Sequence, residues 1–268
     1  MGLIYEPRGR AREYAALAVN VYSGCDHGCV YCYVPLLPWA QSGAHPTPKL
    51  RKAFSIEKLE REAAQLQERG VSGRVLLCFM TDPYQRLEIN NLLTHRSVVV
   101  LHSYGFDVQI LTKNPLRAHI LDTGIYHVGD AIAATLTFSR EDWQKSARWE
   151  PNAPTPGDRY AGLEAFHRDG IPTWASLEPV IDPASTLRII EETAGFVDHY
   201  KVGRINYVER LPIQLRAEVE HINWRAFVDE TVLVLQRLGY EEIPDPAMVR
   251  KGTFYVKESL RQFPEASQ

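Results

Sequence analysis

Cys25-Asp26-His27-Gly28-Cys29-Val30-Tyr31-Cys32-Tyr33 is the stretch that decides how this chain is read. Three thiols stand in the order C-x3-C-x2-C, directly after an apolar, strand-like run from Ala15 to Tyr22. Proteins hold iron–sulfur clusters with thiolates, and a cubane has four irons. A compact loop with three thiolates binds three of them and leaves the fourth open. An open iron can chelate a small molecule through an amino and a carboxylate group.

Zinc is the competing metal. Cys25, Cys29 and Cys32 with Cys78 or His27 make a tetrahedral ligand set. Structural zinc sites ordinarily use paired C-x2-C knuckles, and only one such pair is present here. Disulfides fit the chain less well. No apolar signal segment opens it, so a reducing, cytoplasmic setting is expected. Three thiols within eight residues are metal ligands in that setting rather than bridges.

The chain has 268 residues, of which 24% are charged, and its net charge is −3. That suits one ordinary domain over residues 1–268, closed by a C-terminal segment from about residue 224 onward. No run approaches the roughly 18 apolar residues that span a bilayer, so no membrane partner is expected. No global field draws the chain to nucleic acid. Local basic clusters do exist at Arg8, Arg10 and Arg12 and at Lys49, Arg51 and Lys52. They are solvated surface or phosphate contacts near an active-site mouth. One cysteine remains outside the motif, which is too few for a second cluster.

Further along, apolar strand-like runs alternate with helical segments. Arg74 to Met80, Asp107 to Thr112, Ala131 to Phe138, Thr173 to Leu177 and His199 to Ile205 read as buried strands. Helices are expected over Ile56 to Arg69, Asn90 to Tyr104, Pro115 to Leu121, Asp158 to Asp169, Ser185 to Thr193 and Trp224 to Leu238. Ser55 is a plausible cap and Gly70 a stop for the first of these. With the first strand this makes six β/α units and a parallel sheet. The tail from Gly252 to Phe263 adds an edge strand, Phe254 to Val256, and a closing helix. Every polar motif falls at a strand's C-terminal end, where barrels keep their active sites. The expected fold is therefore α/β, a partial (β/α)6 TIM-like barrel of parallel strands.

The cysteine spacing, with an aromatic on each side of the third cysteine, resembles the radical SAM superfamily. Within it, Thr81-Asp82-Pro83-Tyr84-Gln85 after the second strand is similar to the group related to spore photoproduct lyase, often called DNA repair photolyase-like. Thr112-Lys113-Asn114, Thr137-Phe138-Ser139-Arg140, the run from Glu150 to Arg159, Ser176-Leu177-Glu178-Pro179 and Lys201-Val202-Gly203-Arg204 follow in the same order.

The resemblance implies an enzyme that cleaves S-adenosylmethionine reductively at a [4Fe–4S] cluster and generates a 5′-deoxyadenosyl radical. A one-electron reductant such as flavodoxin or ferredoxin is the implied partner. Cys25, Cys29 and Cys32 would hold the cluster and Tyr31 would pack near the adenine. Thr81 and Asp82 would take the methionine amino end. Ser139, with Arg159 or Glu150, would meet the ribose and carboxylate. Lys113, Glu178, Lys201 and Arg204 would line the mouth. Tyr31 and Tyr33 match the tyrosines that leave a radical relay open. Cys78 is displaced: that group's hydrogen-donor cysteine stands three residues before the aspartate, whereas Cys78 stands four before Asp82, and Phe79 holds the donor position. In a strand, that shift turns the side chain to the other face. The implied substrate is a nucleic acid, such as a pyrimidine lesion. The alternatives are a small molecule or peptide, or a zinc or iron–sulfur protein without catalysis.

Overall fold

Period-two alternation along short buried strands sorts the core of this chain into an inner and an outer layer. The computed structural model describes residues 2–37 and 47–262. Its strands are β1 (Ile4–Tyr5), β2 (Leu17–Val19), β3 (Tyr22–Ser23), β4 (Lys49–Leu50), β5 (Gly73–Leu77), β6 (Phe106–Thr112), β7 (Ala131–Thr135), β8 (Thr173–Val180), β9 (His199–Arg204), β10 (Glu241–Glu242) and β11 (Thr253–Val256). On β5, Val75 and Leu77 pack outward while Leu76 packs inward. On β7, Ile132 faces outward, and Ala131 and Ala133 join Ala18, Leu76, Tyr14 and Trp174 on the inside. Two outer cores lie under the helices. One is built around Leu59, Val98, Leu101 and Phe166, the other around Leu163, Ile189, Phe227 and Leu235.

The main sheet runs β1-β2-β5-β6-β7-β8-β9-β11-β10. Only the β1–β2 pair is antiparallel; all the other pairs in this sheet are parallel. Strands β2 and β5 to β9 therefore stand side by side in chain order, without the reversal of a doubly wound sheet. This is the expected partial barrel of β/α units. No helix among the described residues is long and apolar enough to cross a membrane.

Several boundaries differ from the sequence reading. The first strand is split: β2 stays in the barrel, while β3 leaves it to pair with β4. The second strand stops at Leu77 because Cys78 takes φ +61°. Neither Cys78 nor Phe79 therefore lies in a strand, so strand alternation does not set which way their side chains face. The helix expected from Asn90 to Tyr104 is two helices, Glu88–Asn91 and Leu93–Ser103, broken at Leu92 with φ +48°. The break lets the buried Glu88 carboxylate accept from the amides of Thr94 (3.0 Å) and His95 (3.1 Å), so it caps the second helix. The helix over residues 156–168 begins with a capping box between Thr155 and Asp158. A helix over Trp143–Trp149 was not foreseen. In the tail, β11 is internal and β10 pairs outside it, so Phe254 to Val256 is not an edge strand. The closing helix is Glu258–Arg261; Phe263, the expected end of that tail, lies outside the described residues.

Candidate active site

The cysteine loop leaves β3 through Gly24, where φ is +77° and an added Cβ would stand 2.1 Å from the Thr47 carbonyl oxygen. Only glycine fits there. The loop is then gripped from two sides. On one side, Gln85 donates to the Gly24 carbonyl (3.2 Å), the Arg86 amide donates to Asp26 (3.1 Å), and His27 Nδ1 lies 3.5 Å from Asp82. On the other, the Val30 amide donates to the Trp149 carbonyl (2.9 Å) and the Asn152 amide to the His27 carbonyl (3.1 Å). Cys25, Cys29, Cys32 and Cys78 are all free thiols. Burial pushes Cys25 up to about 12, reinforced by Asp82, and Cys29 up to about 11 despite the nearby Lys113. Cys32 is raised as well, mainly by burial. A bound cation reverses that preference and deprotonates a thiol outright.

Asp82 organises the end of β5. Its carboxylate accepts from the Thr112 hydroxyl (2.6 Å), the Lys113 amide (2.7 Å) and the Tyr84 amide (2.8 Å). It thereby ties the loop after β5 to the loop after β6. The buried Thr81 hydroxyl has no hydrogen-bond partner among the described residues, nor does the Tyr33 hydroxyl. Buried polar atoms are ordinarily paired, and both residues line the same cavity. These orphans mark room for a polar ligand.

Glu150 follows the Trp143–Trp149 helix and is 1% exposed. It accepts from the Tyr31 hydroxyl, from Arg159 (2.5 Å) and from Thr137 (3.3 Å), with Lys113 Nζ at 3.8 Å. Burial works against its charge, but Arg159 and Lys113 outweigh it and hold its pKa down at about 2. The Tyr31 ring lies under Lys113, 5.5 Å from the ammonium.

The opposite wall comes from the N-terminal segment and the last strand. Tyr14 follows the 3-10 turn Gly9–Glu13. Its carbonyl accepts from Gln109 on β6 (2.9 Å), and the Glu13 carbonyl accepts from Lys201 on β9 (3.1 Å). The Tyr14 hydroxyl donates to Glu178, which pairs with Lys257 at 2.6 Å; Lys257 also reaches Glu13 at 3.2 Å. Gly203 makes room for that pair, because a Cβ there would stand 2.9 Å from both the Glu178 and Lys257 side chains. Burial works against the charge on Lys257, but Tyr14 and Glu178 hold its pKa above the ordinary lysine value. Lys201 is fully buried and stacks over Trp174 (4.9 Å) and Tyr14 (5.3 Å); burial, then Lys257, lowers it to about 7.

These walls enclose a cavity of about 580 Å³ at the C-terminal ends of the strands. Cys25, Cys29, Cys32, Tyr31, Tyr33, Cys78, Thr81, Asp82, Lys113 and Glu178 all line it. Ser139, Glu150, Arg159, Lys201 and Arg204 do not. The Ser139 hydroxyl instead donates to Asp142 (2.7 Å), which pairs with Arg188. Arg204 ends β9, half-buried. Tyr14, Arg8, Tyr207 and Lys257 line the cavity and were not foreseen as site residues, although Arg8 was noted within a basic cluster.

Zinc–sulfur bonds of about 2.3 Å place the thiolates of one tetrahedral ion within about 4 Å of each other. Among the described residues, the three cysteines do not converge that closely; the tight group here is Cys25 with Asp26 and His27. A second recess, about 700 Å³, lies elsewhere, between Phe138, Ile181 and Phe227, and its cations Lys145 and Arg148 are paired with Asp182 and Glu218.

The sequence profile of the radical SAM superfamily matches residues 19–197. An uncharacterised protein of Methanocaldococcus jannaschii is 22% identical over 247 residues, covering 91% of this chain and 89% of that protein. A mutant of spore photoproduct lyase, with bound AdoMet and dinucleoside spore photoproduct, aligns with a TM-score of 0.63 at 12% identity, over 90% of this chain and 76% of the other. Streptococcus suis SuiB bound to S-adenosylmethionine aligns with a TM-score of 0.60 at 12% identity, over 94% of this chain and 52% of the other. The chain thus spans about half of SuiB.

Proposed function

The chain belongs to the radical SAM superfamily and is an enzyme of that class, and on that premise we propose that Cys25, Cys29 and Cys32 hold a [4Fe–4S] cluster that binds S-adenosylmethionine. The observation that carries this reading is the opening of all three free thiols into one cavity at the strand ends. The donor set suits the group: thiolates for iron, and the unpartnered Thr81 and Tyr33 hydroxyls for a polar ligand. When bound, the cluster and S-adenosylmethionine supply a reductively generated 5′-deoxyadenosyl radical that abstracts hydrogen, with the electron coming from a flavodoxin- or ferredoxin-type donor.

The protein's own part is orientation and exclusion of water. Tyr31 presents its ring to the cavity while its hydroxyl is anchored behind it on Glu150. Asp82 holds two strand-end loops in register around Thr81. Lys113 places a cation on the cavity wall, suited to a carboxylate. Tyr14, Glu178 and Lys257 close the far side. Glu150, Arg159, Ser139, Lys201 and Arg204 act behind the wall in this reading, and residues 1–268 work as one domain.

For the substrate, the Thr81 to Gln85 string and the motif order support a nucleic-acid lesion of the spore photoproduct type. Arg8, on the cavity rim, suits a phosphate. SuiB, which has also been solved with its precursor peptide SuiA, supports the second reading, a peptide or small molecule. The experiment is anaerobic reconstitution, followed by S-adenosylmethionine and dithionite. About four irons per chain with labile sulfide, and 5′-deoxyadenosine as product, are expected. One zinc per chain and no iron uptake would overturn the reading.

A further inference from the structure

Resting on the reading that the three cysteines hold the cluster, we propose that segment 149–152 is a clamp that sets the cysteine loop before metal arrives, with Glu150 as its positioning residue. The clamp touches the loop in both gaps of the motif. The His27 carbonyl, between Cys25 and Cys29, accepts from the Asn152 amide. Val30 and Tyr31, between Cys29 and Cys32, bond to the Trp149 carbonyl and to the Glu150 carboxylate. Cys29 is thereby fixed relative to both of its neighbours.

A carboxylate as deeply buried as Glu150 is expensive to desolvate and persists only when its oxygens are satisfied. Its Oε1 takes Tyr31 and Thr137; its Oε2 takes Arg159 and, at 3.4 Å, Ser146. Neither Glu150 nor Arg159 lines the cavity. The pair therefore reaches the cavity through Tyr31 and through Lys113, whose Nζ lies 3.8 Å from Oε1, not by contact with a ligand. Arg159 is itself pinned by the carbonyls of Thr135 (2.9 Å) and Pro154 (3.0 Å), so the clamp is referenced to the end of β7. The loop's thiol spacing is thus inherited from the barrel.

The test uses two variants and two measurements. Tyr31→Phe removes the link and leaves the Glu150–Arg159 pair whole, so it should fold. Glu150→Gln keeps the shape and removes the charge. In the metal-free protein, hydrogen exchange at the Val30 and Asn152 amides should quicken at least about tenfold in both variants, with β6 and β7 amides unchanged. After reconstitution, iron release to a chelator should quicken roughly 10–100-fold, the usual effect of losing an outer-shell partner. Parent-like loop exchange in both variants overturns the clamp. So does loosening that appears only together with the β6 and β7 amides, since Glu150 would then be ordinary core. If the parent chain takes up no iron, the cluster reading falls, while exchange in the metal-free chain still decides the clamp.

Discussion

Lys257 Nζ lies 2.6 Å from Glu178 Oε2 and 4.1 Å from the centre of the Tyr14 ring. Three distant parts of the chain meet there: the N-terminal segment, the end of β8 and the residue after β11. The Lys257 side chain is 4% exposed, so little solvent screens the pair. Removing one partner of a buried pair leaves the other charge uncompensated, which costs about 3–5 kcal/mol. Lys257→Met should lower stability by that order in urea unfolding. Lys257→Met combined with Glu178→Gln should lose distinctly less. Additive losses would show that the two groups do not interact.

Gly203 gives this pair its space. Gly203→Ala places a methyl 2.9 Å from both side chains, well inside ordinary contact. Overpacking of that kind costs about 1–3 kcal/mol. Thermal unfolding should show the loss, and Lys257→Ala in the same chain should relieve part of it.

Lys201 sets a pH window. Its folded pKa, about 7, lies below the ordinary 10.5. The unfolded chain therefore binds more protons between those values, and stability should rise with pH across that window. Lys201→Met should flatten the rise and stabilise the protein most at its acid end. An unchanged slope of unfolding free energy against pH from 7 to 10 would refute the assignment.

The barrel was legible because β5 to β9 are apolar runs separated by capped helices, and local pattern dictates both. The breaks at Cys78 and Leu92 were not, because positive φ at a non-glycine residue leaves no mark in the hydrophobic pattern: Cys78 is held by its amide's bond to the Val19 carbonyl (2.7 Å), and the turn at Leu92 by the Glu88 carboxylate that spans it. The cysteines could be picked out as a candidate site from spacing alone, and the three line one cavity. Glu150 and Arg159 were named as cofactor contacts from motif order, but burial places them behind Tyr31. Ser139 follows β7 as expected, yet its hydroxyl serves Asp142. Lys257 sits directly after β11, the same strand-end position as the other site residues. That rule would have found it had β11 been read as part of the barrel. Tyr14 precedes the first barrel strand and carries no such mark.

The proposed ligand set separates the cysteines. Cys29→Ala should lose the cluster's visible absorbance and most of its iron after reconstitution. Cys78→Ala should keep both, because Cys78 packs against Val21 and Tyr22 and belongs to no gap of the motif. Cluster loss in Cys78→Ala would restore a four-cysteine site.

Asp82→Ala leaves the donors of Thr112, Lys113 and Tyr84 unmatched, each worth about 1–3 kcal/mol when buried. The variant should be measurably less stable than its parent. By equilibrium binding it should also hold S-adenosylmethionine about tenfold to a hundredfold more weakly. Unchanged affinity alongside reduced stability would confine Asp82 to joining the two loops.

The grip of Gln109, Lys201 and Lys257 on residues 13–14 governs the order of assembly. Glu13 and Tyr14 precede the cysteine loop in the chain, yet these partners lie 95 to 244 residues further on. Contacts of such separation form late, because long loops must close first. The cysteine loop and its clamp are complete by residue 159, but the cavity's far wall waits for β11. A nascent chain would therefore leave its thiols open to solvent from the time the loop emerges until β11 and Lys257 follow it.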